Sequence, residues 1–458
     1  MNLFPKRSKP IFDSSSNSLN QSNDLDDLGQ TPNTQAVDTT STSNKANLIK
    51  LFIGIALIAI VSVLTHVAAT VAVLVALLIV IMLHEFGHFL TAKHADMKVT
   101  EFFIGFGKKI WSIRKGETEY GVKLLPLGGY VKIIGMTNLE EVDPQDEPRA
   151  YRNKPFLQRL SVSIAGSVVH FIIAFLLLWV LFSGIGVPSY NAPPVLKVGS
   201  ISTFAHGQSP AQKAGFHIGD KIIGIQGKKL SSWAQLVKIV QSHPNANLTF
   251  TILRNGKIMH LHVKTANLAQ IQNSVPNVAH VNKPTGFVGI GPTLPIVTTG
   301  VIQGSIKASS ALEKSVVSTA QILAQRFSPQ GMSSYVSNFI ASTHASPSSK
   351  PPPQFQSTVG IVRIASQAAQ QGIGDVVILL AMINIFLGMF NMIPMLPFDG
   401  GHVAIAIYER IRSRKDHPYH ANVAKLMPLF YAVIALLVFL EITSLYLNIF
   451  HPLPNMFK

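Results

Sequence analysis

The 458-residue chain contains no cysteine. Disulfides and thiolate metal sites are therefore excluded, and any bound metal must be held by His, Asp or Glu. Charge is scarce as well. Asp, Glu, Lys and Arg make up 13% of the residues, against 47% hydrophobic, about half the charged share of a soluble globular protein. That deficit argues against a soluble enzyme and for membrane spans. The acidic sign is the scarcer, 22 residues against 38 basic, for a net charge of +16. Such a balance often marks nucleic-acid binding. Here the basic residues cluster beside apolar runs, so the expected partner is the anionic surface of a lipid bilayer, and no nucleic acid. A secretory signal peptide is missing too. The first apolar run begins only near Leu51, so the spans themselves are expected to direct insertion.

Residues 1–48 are rich in Ser, Asn, Thr, Gln and Asp, a composition that cannot bury a core and predicts a disordered polar tail. From Lys50 to Lys93 the only charged side chain is Glu85. As one helix that stretch would run about 60 Å, twice the hydrocarbon thickness. It therefore reads as two membrane segments within 49–93, divided at Thr65-His66, the first short enough to be an interfacial helix instead. Further spans are expected at 161–187, at 376–402, where Pro394 and Pro397 break the end, and at 426–450. Lys and Arg crowd the loops 94–160 and 403–425, which places both in the cytoplasm and residues 188–375 outside. Within that outer stretch, 195–265 alternates as strands around a hairpin at Asn255-Gly256 with a short helix and an amphipathic one. Residues 266–375 add a strand at 286–296, helices lying against the membrane over 305–340, and a Pro-rich loop at 342–358.

The chemistry concentrates in His84-Glu85-Phe86-Gly87-His88. Positions i and i+4 share a helix face, so both imidazoles can reach one metal ion, with Glu85 beside them to take a proton from water. Three ionisable groups in five residues of a span need a common explanation, because each is costly in lipid. The blander explanation is a buried, hydrogen-bonded His–Glu cluster. A zinc site that activates water needs a third protein ligand. Asp399, in Pro397-Phe398-Asp399-Gly400-Gly401 at the broken end of the fourth span, lies at the same expected depth. Taken alone, that segment reads as an interfacial turn. For the chain as a whole, a membrane scaffold gathering partners and a metal transporter compete with the metal-dependent hydrolase.

Together, HEFGH, VTEFFIGFG, LGGYVKIIG and FNMIPMLPFDGGH resemble the site-2 protease family of intramembrane zinc metalloproteases, in its bacterial branch with an external PDZ domain. The resemblance covers about residues 66–450. It implies Zn2+ held by His84, His88 and Asp399, Glu85 as catalytic base, and a PDZ-like domain over 195–265. It also implies a membrane-associated hairpin at 121–136, with Gly128, Gly129 and Tyr130 as substrate contacts, and a substrate-positioning or oxyanion role for Asn391. An amide can donate to a developing oxyanion, whereas the neighbouring Asn384 reads equally well as helix–helix glue. The implied substrates are single-pass membrane proteins, anti-sigma factors among them. Departures from the family pattern are Ala165-Gly166-Ser167-Val168-Val169-His170, where a Gly-Pro and a nearby Asn are usual, and Phe398 in place of Leu. His170 is expected to hydrogen-bond within the bundle. The expected fold class is thus a multi-span α-helical membrane protein with an extracytoplasmic PDZ-like α+β domain and a membrane-associated β-hairpin.

Overall fold

A computed structural model describes residues 39–65, 67–136, 140–189, 191–202, 204, 207–272, 281–344, 354–414 and 419–453. Most of the expected polar tail, residues 1–38, lies outside the described residues, as do His66 and 345–353 of the expected Pro-rich loop. The chain divides into two units, Met1–Ala46 and Asn47–Lys458; in the first, the described residues are helical.

Helix α1 (Thr39–Leu64) begins ten residues before the first expected span, and α2 (Ala68–His94) follows after a turn at Thr65. Strands β1 (Val99–Lys115) and β2 (Thr118–Ile133) form one long antiparallel hairpin with several register shifts. The 121–136 stretch is therefore mostly a single strand, not a whole hairpin. Its partner is the preceding segment, whose mixed aromatic and charged residues gave no clean alternation. Helix α3 (Phe156–Val180) starts at Phe156, five residues before the expected span, and ends in a π-turn, Leu181–Ile185.

A six-stranded antiparallel sheet follows, in the order β11-β4-β5-β7-β8, with β6 on β5. Its strands are β4 (Val195–Ile201), β5 (Lys221–Ile225), β6 (Lys228–Lys229), β7 (Asn247–Arg254), β8 (Lys257–Lys264) and β11 (Ile290–Thr293). The turn between β7 and β8 has Asn255 and Gly256 both at positive φ, which suits a two-residue hairpin. Leu248, Phe250 and Ile252 alternate inward on β7, where they meet Phe216, Ile222 and Ile225, and Trp233 and Leu236 of α5 (Trp233–Gln241). Short helices α4 (Pro210–Lys213) and α6 (Leu268–Ile271) complete the unit, with the small pairs β3 (Val187–Pro188)/β12 (Ile296–Val297) and β9 (Ala266–Asn267)/β10 (Gly286–Phe287). Asp220 is buried against Arg254, whose Nε and Nη2 donate to its two oxygens at 2.7 and 2.8 Å. Burial alone would raise the Asp220 carboxyl; the guanidinium and the His217 N–H outweigh it and hold it below the usual range.

Helices α7 (Val301–Arg326), α8 (Pro329–Thr343) and α9 (Thr358–Gln371) lead to α10 (Ile373–Asn391). The fourth expected segment, 376–402, is not one element. Its helix stops at Asn391, the chain turns through residues 392–398, and a new helix, α11 (Asp399–Arg412), begins at Asp399. Much of the expected loop 403–425 is therefore helical. Helix α12 (Met427–Phe450) closes the fold. Among the described residues five helices are long and apolar enough to cross a membrane: Asn47–Leu64, Thr70–His94, Phe156–Ile185, Ile373–Asn391 and Val423–Phe450. Most of their surface is exposed, as lipid contact requires. Between them lies a small core of Leu178, Leu181, Ala308, Val377 and Ala381 that ties α3 to α7 and α10.

Candidate metal centre

The last turns of α2 carry His84 and His88 one turn apart, and their Nε2 atoms lie 3.2 Å from each other. Asp399, in the first turn of α11, places Oδ2 3.3 Å from each of them. The three atoms thus form a nearly equilateral triangle. Ligands around a tetrahedral zinc, at bond lengths of about 2.0–2.2 Å, stand about 3.3–3.5 Å apart. Two further observations fit a cation better than a hydrogen-bonded cluster. Asp399 Oδ2 is buried and 3.3 Å from both imidazoles, yet accepts no hydrogen bond of good geometry from either, so the carboxylate does not lie along an imidazole N–H bond. Meanwhile His88 Nδ1 donates to the Val162 carbonyl at 2.7 Å, which leaves its Nε2 lone pair facing inward. The residues present therefore fit Zn2+.

Backbone close packing sets this geometry. A Cβ placed on Gly166 of α3 would come within 2.5 Å of His84 Nδ1 and His88 Nε2. Only glycine lets α3 run against both ligand rings. At the other wall, Gly400 and Gly401 let the start of α11 press on the turn before it, where a Cβ on Gly401 would stand 2.6 Å from the Leu396 nitrogen. Phe398 occupies the position just before that helix, without a side-chain capping bond, and meets Phe390 edge-to-face at 4.7 Å. An Asp in the first turn also suits the positive end of a helix.

Glu85, on the same helix as the histidines, does not point into the triangle. Its Oε2 accepts from the Val131 N–H of β2 at 3.1 Å. The base candidate and the hairpin edge are thereby joined. Gly129 packs against Met82 of α2, so β2 runs along the helix that carries the ligands, with Gly128 next to it. The Tyr130 ring stacks between Phe103 and Phe106. Its hydroxyl accepts from Lys123 Nζ at 2.6 Å and donates to Glu101. Burial and the Glu101 carboxylate push the phenol pKa up. The Tyr130 side chain is therefore turned into the hairpin, while its backbone lies near Glu85. Asn391 ends α10 half-buried, with no side-chain hydrogen bond among the described residues. Asn384, fully buried, accepts from His170 Nδ1 at 3.0 Å and donates to the Leu380 carbonyl. His170 thus sits in a bundle hydrogen bond, with its ring 4.9 Å from that of His84.

Sequence reasoning missed Val162, Gly166 and the Val131 N–H. Two of these act through backbone atoms, which leave no side-chain signature. Gly166 had a faint one, the small-residue run Ala165-Gly166-Ser167 inside a span, a known sign of close helix packing.

The family model for peptidase family M50 matches residues 72–440. The zinc metalloprotease Rip1 of Mycobacterium tuberculosis is 30% identical over 395 residues, covering 81% of this chain and 95% of that protein. Rip1 of Mycolicibacterium smegmatis is 28% identical over 82% of this chain and 96% of that protein. A putative zinc metalloprotease of Clostridium acetobutylicum is 29% identical over 74% of this chain and 86% of that protein. The solved PDZ domain of an SdrC-like protein from Listeria monocytogenes matches 23% of this chain at 18% identity with a TM-score of 0.16, too low to bear on the fold. With the family model covering most of the chain and the converging His, His and Asp atoms at its centre, the protein is a multi-pass membrane zinc metalloprotease and belongs to peptidase family M50, the site-2 proteases.

Proposed function

We propose that the protein is an intramembrane endopeptidase that cuts transmembrane segments of membrane-anchored regulators, anti-sigma factors among them. One observation carries this reading: Glu85, His84 and His88 project from a helix apolar enough to span, so the chemistry lies at bilayer depth. His84, His88 and Asp399 hold the metal. Zinc, when bound, supplies Lewis-acid polarisation of water and of the scissile carbonyl. Glu85 takes the proton from the attacking water and passes it to the leaving amine. The Asn391 amide, at the end of α10, steadies the oxyanion or the substrate backbone.

A helical substrate hides its peptide bonds in i→i−4 hydrogen bonds and must unwind before attack. Among the described residues strand β2 pairs with β1 on one side only, and the Val131 N–H donates from it to Glu85. An unwound segment adding to that edge at Gly128–Val131 would lie beside the base. The basic loops face the cytoplasm, so the active site opens near that face and the six-stranded domain, PDZ-like by its sequence, stands outside. That domain acts as a filter, admitting trimmed substrates or excluding bulky external domains.

The test is reconstitution of the purified protein in liposomes with single-pass membrane peptides, beside Glu85→Gln. The expected result is cleavage within the span by the wild-type protein and a zinc-loaded variant slower by about 10²–10⁴-fold. Equal cleavage by both would refute the role of Glu85.

A further inference from the structure

A second concentration of polar groups lies where α3 begins and α11 ends. Arg152, Lys154, Arg159, Arg410 and Arg414 line a cleft of about 560 Å³, with Glu409 as the one carboxylate among the lining residues. Glu409 is already neutralised. Arg159 Nη2 stands 2.6 Å from its Oε2, with both side chains under 10% exposed, and the Ala421 N–H donates to its Oε1 at 2.6 Å. Among the described residues the one ion pair of Lys154 is with the exposed Asp96, at 3.6 Å, a long contact to a solvated carboxylate that is worth little. Arg410 and Arg414 are exposed and make no ion pair among the described residues. Arg152 is paired as well, its Nη2 2.7 Å from Glu147 Oε2, so among the described residues the excess positive charge of the cleft rests on Lys154, Arg410 and Arg414.

Its depth narrows the choice of anion. The span of α3 starts at Phe156, itself a lining residue, so the cleft opens at the membrane–water boundary. On the same two helices, the sequence neighbours of the lining residues Phe156 and Arg410 are large exposed apolar side chains: Leu157, 73% exposed, and Ile411, 77% exposed. A cationic cleft beside the start of an apolar span, with exposed apolar side chains on the same two helices, matches a molecule that is anionic at one end and hydrocarbon at the other. A free phosphate or nucleotide would leave the apolar flank unused.

We propose that this cleft binds the phosphate head of an anionic phospholipid, with its acyl chains running along Leu157 and Ile411. The site is separate from the metal centre and does not depend on the proteolytic reading. It bridges the two helices that wall that centre, since α3 supplies Val162 and Gly166 and α11 supplies Asp399. A bound headgroup thus ties those walls together from the cytoplasmic side.

The experiment is native mass spectrometry of the full-length protein from nanodiscs of phosphatidylcholine with and without phosphatidylglycerol. Three double variants are compared: Arg410→Gln/Arg414→Gln, Arg410→Lys/Arg414→Lys, and the charge-matched control Lys228→Gln/Lys229→Gln on exposed β6. Wild-type protein should retain phosphatidylglycerol over phosphatidylcholine. The Gln pair at 410/414 should lower that preference by about thirtyfold, from the usual worth of two interfacial cations. The Lys pair should stay within about threefold of wild type, because charge is kept while bidentate geometry is lost, and the control should not change. Equal melting temperatures exclude misfolding as the cause. Equal retention by all variants would mean annular lipid only and would overturn the proposal. So would displacement of the lipid by inorganic phosphate alone, which would make this a free-anion site.

Discussion

Gly166→Ala adds one methyl group at the most crowded point of the site. The new Cβ would stand 2.5 Å from His84 Nδ1 and from His88 Nε2, whereas carbon contacts settle near 3.5–4.0 Å. Roughly 1 Å must open between α3 and the two rings. Metal sites tolerate only about 0.2 Å of error in ligand distance, so the ligand triangle with edges of 3.2–3.3 Å cannot absorb the shift unchanged. Overpacking of this kind costs about 1–3 kcal/mol, and the expected loss is about 5- to 150-fold in zinc affinity. The sign is not confounded by helix propensity. Alanine is the better helix former by about 1 kcal/mol, so a purely local effect would stabilise α3. The assay is zinc content after equilibration with graded chelator, read beside cleavage of a membrane peptide. Gly184→Ala, where a Cβ meets nothing within 4 Å, is the matched control. If Gly166→Ala kept wild-type zinc affinity and rate, the idea that α3 shapes the ligand triangle would be wrong.

Asp399→Asn should lower zinc occupancy under chelator competition by about tenfold or more, since an anionic ligand is lost, while circular dichroism stays helical. The Arg149 guanidinium, first, with Lys93, holds the Glu117 carboxyl down at about 2 against burial; stability from this cluster should therefore be full above about pH 4.5 and fade as pH falls toward 2, and Glu117→Gln should abolish that dependence in a melting series. Glu409→Gln leaves Arg159 charged and buried without its partner, and should cost about 3–5 kcal/mol, read as a fall in melting temperature in detergent. Because the chain has no cysteine, single cysteines report topology directly. Gln241→Cys should react with a membrane-impermeant maleimide in intact cells and Arg414→Cys only after permeabilisation; the reverse pattern would invert the proposed orientation.

Some of this was legible in residue order and some was not, for definite reasons. Four-residue spacing puts His84 and His88 on one helix face, and hydropathy marks the spans because lipid admits few other structures. Asp399 stood out only beside the histidines, because a zinc site needs a third ligand and its expected depth matched theirs; alone it reads as a turn. The helical run after it was hidden. Once Asp-Gly-Gly is read as a turn, the amphipathic residues that follow look like a loop, although close packing on residues 392–396 is what the two glycines serve. Strand β1 was obscured in another way. Its charged residues Lys108, Lys109 and Arg114 break the two-residue alternation, and its pairing with β2 depends on register shifts that no periodicity encodes. The orientation of His88 rests on a carbonyl, a group every residue has.

Backbone groups also make the hairpin and the metal centre one device. A general base inside a membrane helix is held against solvent loss only if something polar meets it. For Glu85 that partner is the Val131 N–H, a group that a neighbouring strand would otherwise pair. The edge proposed to offer backbone to a substrate and the carboxylate proposed to take the proton of the attacking water are thus linked by a hydrogen bond. A substrate strand adding at Gly128–Val131 must share or replace that bond. Doing so loosens Glu85 at the moment a peptide bond arrives beside it. Binding of an unwound segment and release of the base then become the same event, and an empty site keeps its base engaged. On the proposed reading the centre supplies hydrolysis, and the Val131–Glu85 hydrogen bond would make hydrolysis wait for an extended chain.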